Sequence, residues 1–287
     1  LILAMLLPFF ALFGFITVYG FGVIYAELKV SSFIQDKTGP MGQGYGFHAG
    51  KWGFLQPVAD GLHLFFKEDI IPATADRPLF ILAPFLIFIG MFVGIIAIPF
   101  GEAIIISDMN IGIFYILGVG SLAVIALILA GWSSNNKWAL YGGMRSAAQI
   151  ISYEIPAGLS LIVVILLASS LSMQEIISYQ SGGMFNWIIF DNPFMPIAFI
   201  IFFISALAET NRTPFDLPES ESELVAGFVT EYSGARYAFF FLSEYVNMFV
   251  ISAVASTAFL GGWQSPFSNF LNTPAWSVFW MISKAFF

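Results

Sequence analysis

Residues Ile111–Gly131 read IGIFYILGVGSLAVIALILAG, a stretch without one charged side chain. At 1.5 Å rise per residue a helix over it is about 31 Å long, which matches the ~30 Å hydrocarbon core of a bilayer. In water such a helix would have no polar face to present. The stretch therefore reads as a membrane span. Similar apolar runs cover Leu1–Tyr25, Leu79–Phe100, Ile155–Met173, Pro193–Ala208, Tyr237–Leu260 and Pro274–Phe287. The expected fold is an all-α integral membrane protein, a polytopic helix bundle of about seven spans treated as one transmembrane domain over residues 1–287. The first run lacks the basic start and small-residue cleavage site of a signal peptide, so it is expected to be a retained span without its initiator end. The last run is shorter than a full span, so the sequence is expected to stop within one.

Composition supports this class. Of the 287 residues, 59% are hydrophobic and 10% charged, and the mean hydropathy is +0.87, far from soluble averages. Cysteine is absent, which excludes disulfides and cysteine-ligated zinc or iron–sulfur sites. The two histidines, His48 and His63, share one polar loop, so no histidine pair in the spans can hold haem or copper. The chain is expected to carry no metal or flavin and to bind no nucleic acid.

Orientation follows from the bases. Lys29, Lys37, Lys51, Lys67, Arg77, Lys137, Arg145, Arg212 and Arg236 all fall in the first, third and fifth connections. The positive-inside rule puts those connections, about 26–78, 132–154 and 209–236, on the cytoplasmic side. Within the first, Trp52–Lys67 reads as an amphipathic helix. Leu55, Val58, Leu62 and Phe65 recur at spacings of three and four, and Pro57 suits a first turn. It lies either on the membrane surface or against a partner.

The fifth connection, AETNRTPFDLPESESELVAGFVTEYSG at Ala208–Gly234, departs most from the rest of the chain. It sets Glu209, Asp216, Glu219, Glu221, Glu223 and Glu231 against one base, Arg212. The run before it, Pro193–Ala208, would be a helix of about 24 Å, short of the core. Either that helix begins near Phe185, or the acidic loop starts below the membrane surface. Pro214 and Pro218 forbid a continuous helix. Phe215, Leu217, Leu224, Val225 and Phe228 interleave with the acids, which fits a loop re-entering the bundle better than a solvated charge run. Glu244 stands eight residues past Arg236, about 12 Å down a helix, where a carboxylate costs ~2.5–3.5 kcal/mol and points to function. Glu27 and Glu154 stand at span ends. Glu154, just before Pro156, is expected to open a helix and to gain ~0.3–1 kcal/mol from its dipole.

With these residues in view, the chain resembles the quinone-site membrane subunit of respiratory complex I, the proton-pumping NADH:quinone oxidoreductase; in bacteria this is the H subunit. QDKTGP (Gln35–Pro40), LQPVADGLHLFFKEDIIP (Leu55–Pro72), SDMNIG (Ser107–Gly112), GWSSNNKWALYGGMRSAAQIISYEIPAGL (Gly131–Leu159) and FFLSEY (Phe240–Tyr245) occur with the acidic loop in the family's order. The resemblance implies eight spans in the whole family member, and a place where the membrane arm meets the hydrophilic arm. It implies a component of an oxidoreductase and translocase, without activity in isolation. The quinone substrate is ubiquinone or menaquinone. NADH, FMN and iron–sulfur clusters belong to partner subunits, one of which holds the terminal cluster. The bacterial plasma (inner) membrane is favoured over the mitochondrial inner membrane.

Carried over by position, Glu27, Glu154, Glu209, Asp216, Glu219, Glu221, Glu223, Glu231 and Glu244 match the family's proton-coupling acids. Gln35, Lys37, Gln56, Asp60, Arg212 and Phe215 match its quinone tunnel. Two features depart from the pattern. Lys37 stands where the family has Arg, and residues Met41–Gly53 replace its N-R-x-G continuation. Two rival readings remain: the homologous membrane subunit of an ion-pumping hydrogenase-type complex that uses no quinone, and a secondary transporter. The transporter would show two matched broken helices, whereas one broken acidic loop is seen.

Overall fold

The computed structural model describes residues 2–40, 52–217, 221–267 and 273–286; of residues 2–9, 221 and 222 the backbone alone is described. Regular structure among them is entirely helical. In chain order the helices are α1 (Ile2–Ile34), α2 (Gln56–Phe66), α3 (Arg77–Ile95), α4 (Gly112–Ser133), α5 (Lys137–Ala168), α6 (Met173–Tyr179), α7 (Ile188–Asp191), α8 (Met195–Glu209), α9 (Glu221–Leu224), α10 (Gly234–Phe259) and α11 (Pro274–Phe286). Single 3₁₀ turns lie at Met184–Asn186 and Gly227–Val229. Among the described residues, α1, α3, α4, α5 and α10 are long and apolar enough to cross a membrane. The fifth and seventh apolar runs appear as shorter helices, α8 of 15 residues and α11 of 13.

Three boundaries that bear on the acidic residues differ from the sequence expectation. The first helix does not stop with its apolar run at Tyr25 but continues to Ile34, so Glu27 and Lys29 are helical. Glu154 does not open a helix. It sits inside the 32-residue α5, which also contains Pro156, so a helix-dipole contact cannot explain it. Nor does α8 begin near Phe185. The chain forms the short α7, breaks at Asn192–Phe194 and restarts at Met195. Asn192 enforces this restart, since its Oδ1 accepts from the Phe194 N–H (3.2 Å) and its carbonyl accepts from the Met195 N–H (2.9 Å). α8 is therefore about 22 Å long.

Contacts divide the chain into two compact units, residues 1–70 with 232–246 and residues 71–231 with 247–287. In the larger, α3, α4, α5 and α8 pack in succession. Between α4 and α5 the packing depends on small residues. A Cβ on Gly131 would lie 2.6 Å from the Ala139 carbonyl, and one on Gly143 would lie 2.9 Å from that of Leu127. Such contact is how helices associate where lipid removes the hydrophobic drive. The tight turn between them is closed by Asn135 in left-handed backbone (φ 48°) and by Asn136, whose Oδ1 accepts from the Trp138 N–H at 2.9 Å. Asn135 also donates to the Thr74 carbonyl (3.1 Å), and the Asp76 N–H to that of Ser133 (2.9 Å), tying the start of α3 to the end of α4.

At the other end of this unit, the buried amide of Gln180 gathers four groups. It donates to the carbonyls of Ile176 and Thr257 and accepts from the N–H groups of Ile188 and Gly261. The tenth base, Lys284, reaches back from α11 to the carbonyls of Leu260, Gly262 and Gln264 at 2.7–2.9 Å, with its ammonium 4.2 Å from the Trp187 ring. Three carbonyls beyond the end of α10 thus receive a cation.

In the smaller unit, the loop after α2 docks on the start of α10. Ser233 accepts from the Ile70 N–H and donates to the Glu68 carbonyl, and Arg236 pairs with Asp69 at 3.1 Å. Gly234 is needed there: its φ is +59°, and a Cβ would lie 2.9 Å from the Lys67 carbonyl.

Candidate functional site: a carboxylate pair on one turn of α4

The acidic loop is held by α5. α8 ends at Glu209, and Asn211 terminates it in left-handed backbone (φ 51°), a conformation that asparagine tolerates. Gln149 of α5 then fastens the outgoing chain. Its Nε2 lies within donating distance of the Ala208 carbonyl (2.8 Å), the Phe215 carbonyl (2.8 Å) and Asn211 Oδ1 (3.1 Å). Asn211 donates in turn to Ser146 Oγ (3.2 Å), and Phe215 meets Tyr153 edge-on at 5.2 Å.

The second half of the loop is packed as tightly. Leu224, Phe228, Val229 and Tyr232 are buried, and a Cβ on Gly142 would lie only 2.6 Å from the Cα of Gly227. The broken backbone is anchored against helix by part of its apolar set, Leu224 and Phe228, whereas Leu217 and Val225 are exposed.

That attachment fixes where Glu209 points. Its Oε1 lies 3.8 Å from the position that a Cβ would take on Gly120 of α4. The next residue of α4, Ser121, donates to Glu154 Oε1 at 2.5 Å. Two carboxylates, from α5 and from the end of α8, thus converge on one turn of α4. A hydroxyl positions one acid, and a glycine leaves room for the other.

The remaining acids take other places. Glu223 pairs with Arg145 at 2.6 Å, but both side chains are about half exposed (57% and 46%), so the pair contributes ~0–1 kcal/mol. Glu231 accepts from Asn136 Nδ2 at 2.6 Å, which ties the loop to the start of α5. Asp216 is exposed; Glu221 begins α9; Glu219 lies outside the described residues. Glu27 accepts from Tyr245 Oη at 2.8 Å, and Glu244 is half-buried beside it in sequence on α10. Both belong to the smaller unit.

The six residues matched to a quinone tunnel divide likewise. Gln35, Lys37, Gln56 and Asp60 fall in the smaller unit and Arg212 and Phe215 in the larger. Lys37 donates to Gln35 (2.8 Å) and Gln56 to Asp60 (2.7 Å). The Arg212 carbonyl accepts from the Phe215 N–H at 2.7 Å. Of the departing Met41–Gly53 segment, residues 41–51 lie outside the described ones.

A family model described as NADH dehydrogenase matches residues 6–287. The chain belongs to that family. Its relatives include the H subunit of the NADH-quinone oxidoreductase of Chlorobaculum tepidum, 50% identical over all of this chain and 80% of the relative. The protein of the same name from Anaeromyxobacter dehalogenans is 52% identical over 86% of this chain and 58% of its own length. The second H-type NADH-quinone oxidoreductase subunit of Geobacter metallireducens is 45% identical over 99% and 83%.

Sequence reasoning sought charges and so missed the uncharged residues that place them. Gln149, Ser121, Ser146, Gly120 and Tyr245 carry no local signal of their own. Asn247, a buried amide in the apolar α10 three residues after Glu244, did offer one, since an intramembrane polar side chain marks a candidate site.

Proposed function

We propose that this chain is the quinone-side membrane subunit of a proton-translocating NADH:quinone oxidoreductase in a bacterial plasma membrane. In this reading the chain lines the entry and lower part of the tunnel through which ubiquinone or menaquinone reaches a partner subunit. Gln35, Lys37, Gln56, Asp60, Arg212 and Phe215 line that path. Electrons from NADH travel through flavin and iron–sulfur clusters in the hydrophilic arm, and this chain supplies none of those centres.

Its own contribution is acid–base. The observation that carries the reading is the convergence of Glu154 and Glu209 on Gly120–Ser121, within a bundle of apolar helices. Neighbouring carboxylates repel each other when both are charged, and a proton on one relieves that repulsion. Glu209 ends α8 immediately before the loop that carries Arg212 and Phe215. A change at the quinone path that moves this loop thereby moves Glu209 against Glu154. The other acids, Glu27, Asp216, Glu219, Glu221, Glu223, Glu231 and Glu244, extend the proton path. The matched relatives are named as quinone oxidoreductase subunits, which favours this partner over a hydrogenase-type complex.

The test is Glu209→Gln in the assembled complex. Gln keeps the shape and removes the titratable group. Quinone-linked turnover per assembled complex should fall, while NADH oxidation by an artificial acceptor that bypasses quinone persists. Full quinone-linked turnover would refute the role of Glu209.

A further inference from the structure

Beside Glu209 lies a small cavity of about 30 Å³, walled by α3, α4, α5, α8 and α10. Gly90, Gly94 and Gly120 open it, and Leu161, Phe202 and Val254 are among its apolar walls. Of the residues that line it, Glu209 and Asn247 alone have polar side chains. Asn247 is only 8% exposed. Among the described residues, no side-chain hydrogen bond is seen for either Asn247 or Glu209. An amide among apolar walls costs free energy unless it finds a polar partner, and apolar residues would fill the same space without that cost. The volume suits one or two water molecules, which need polar partners of this kind.

We infer that the cavity is a built hydration site, in which Asn247 holds ordered water against the Glu209 carboxylate and positions its proton. The inference rests on the proton-coupling reading of Glu209 given above. Asn247 acts through water and does not itself exchange a proton. Its amide offers two donors and an acceptor, so one bound water can donate to the Asn247 carbonyl oxygen or accept from its N–H while bonding the carboxylate. Proton transfer to or from Glu209 then has a defined first step, O–H to carboxylate oxygen across one hydrogen bond. The glycines keep this step open: larger side chains at Gly90, Gly94 or Gly120 would take the room the water uses.

The experiment compares Asn247→Leu, Asn247→Thr and Glu209→Gln in the assembled complex, normalised to the amount of complex. Asn247→Leu should lower quinone-linked turnover about ten- to a hundredfold, the worth of a hydrogen bond to a charged group. Artificial-acceptor activity should not change. Asn247→Thr, whose hydroxyl can still hold water, should restore most of the loss. Asn247→Leu added to Glu209→Gln should cost nothing further, because the amide acts only through that carboxylate. Normal turnover in Asn247→Leu with low turnover in Glu209→Gln overturns the hydration site and leaves the proton-coupling reading standing. A loss that Thr does not rescue, or that adds to Glu209→Gln, makes Asn247 structural and overturns it too. Normal turnover in Glu209→Gln overturns both. Should Asn247→Leu fail to assemble, a density map of the unaltered complex that resolves buried water elsewhere decides: water within hydrogen-bond reach of both Asn247 and Glu209 is expected, and a dry cavity overturns the inference.

Discussion

Replacing Gln149 with Leu removes the one side chain that fastens the acidic loop to α5 at three points. Its Nε2 lies 2.8 Å from the carbonyls of Ala208 and Phe215 and 3.1 Å from Asn211 Oδ1. A primary amide carries only two N–H groups, so two of these bonds form at full strength at any moment. At ~0.5–1.5 kcal/mol net each, the substitution costs the closed loop about 1–3 kcal/mol. Leu fills a similar volume and is a good helix former, so α5 itself loses nothing. Local opening of Asn211–Phe215 should therefore rise about five- to a hundredfold. Hydrogen–deuterium exchange on the purified complex reads this directly. The Asn211 and Phe215 amides, which bond the Ala208 and Arg212 carbonyls, should exchange faster by that factor. Amides of α4 should not change. Equal exchange at Asn211 and Phe215 in both proteins would refute the claim that Gln149 holds the loop.

Gly142→Val places side-chain atoms where a Cβ alone meets Gly227 at 2.6 Å; overpacking of this kind costs ~1–3 kcal/mol or more, so the melting temperature and yield of the assembled complex should drop. Lys284→Met leaves the Leu260, Gly262 and Gln264 carbonyls without their donor; a loss of ~2–4 kcal/mol is expected from the charge-assisted bonds, seen as a lower unfolding temperature. Lys284→Arg should not restore it, because a planar fork cannot point three donors as an ammonium does. The chain has no cysteine, so single-cysteine variants report topology: Thr74→Cys should react with a membrane-impermeant thiol reagent from the cytoplasmic side and Ser181→Cys from the opposite side. Reaction of both from one side would contradict the assigned orientation.

Long, uniformly apolar segments were legible because in lipid the backbone must be satisfied internally, and about 20 unalternating apolar residues do so as a helix. Ile111–Gly131 reappears as Gly112–Ser133, and the helix at Trp52–Lys67 as Gln56–Phe66 with Pro57 in its first turn. Helix ends were legible only where a cap residue stood. α1 and α5 extend past their apolar runs because polar residues in a helix interfere with nothing when they can face outward, as Lys137 and Trp138 do. Pro156 read as a first-turn residue, yet α5 runs through it; proline removes one hydrogen bond and does not by itself fix where a packed helix starts. The acids of the loop stood out from composition alone. Their pairing did not, because Glu154 and Glu209 are joined only through α4, by a serine and a glycine distant in sequence from both.

The account depends most on the carboxylate pair. The most direct measurement is proton translocation by membrane vesicles carrying the complex with Glu154→Gln and Glu209→Gln together, with quinone reduction followed in the same sample. Quinone-linked turnover and proton translocation should fall together by about tenfold or more, while artificial-acceptor activity and the amount of assembled complex stay at the unaltered level. Unaltered proton translocation at an unaltered rate of quinone reduction would contradict the account and leave Glu154 and Glu209 as structural residues.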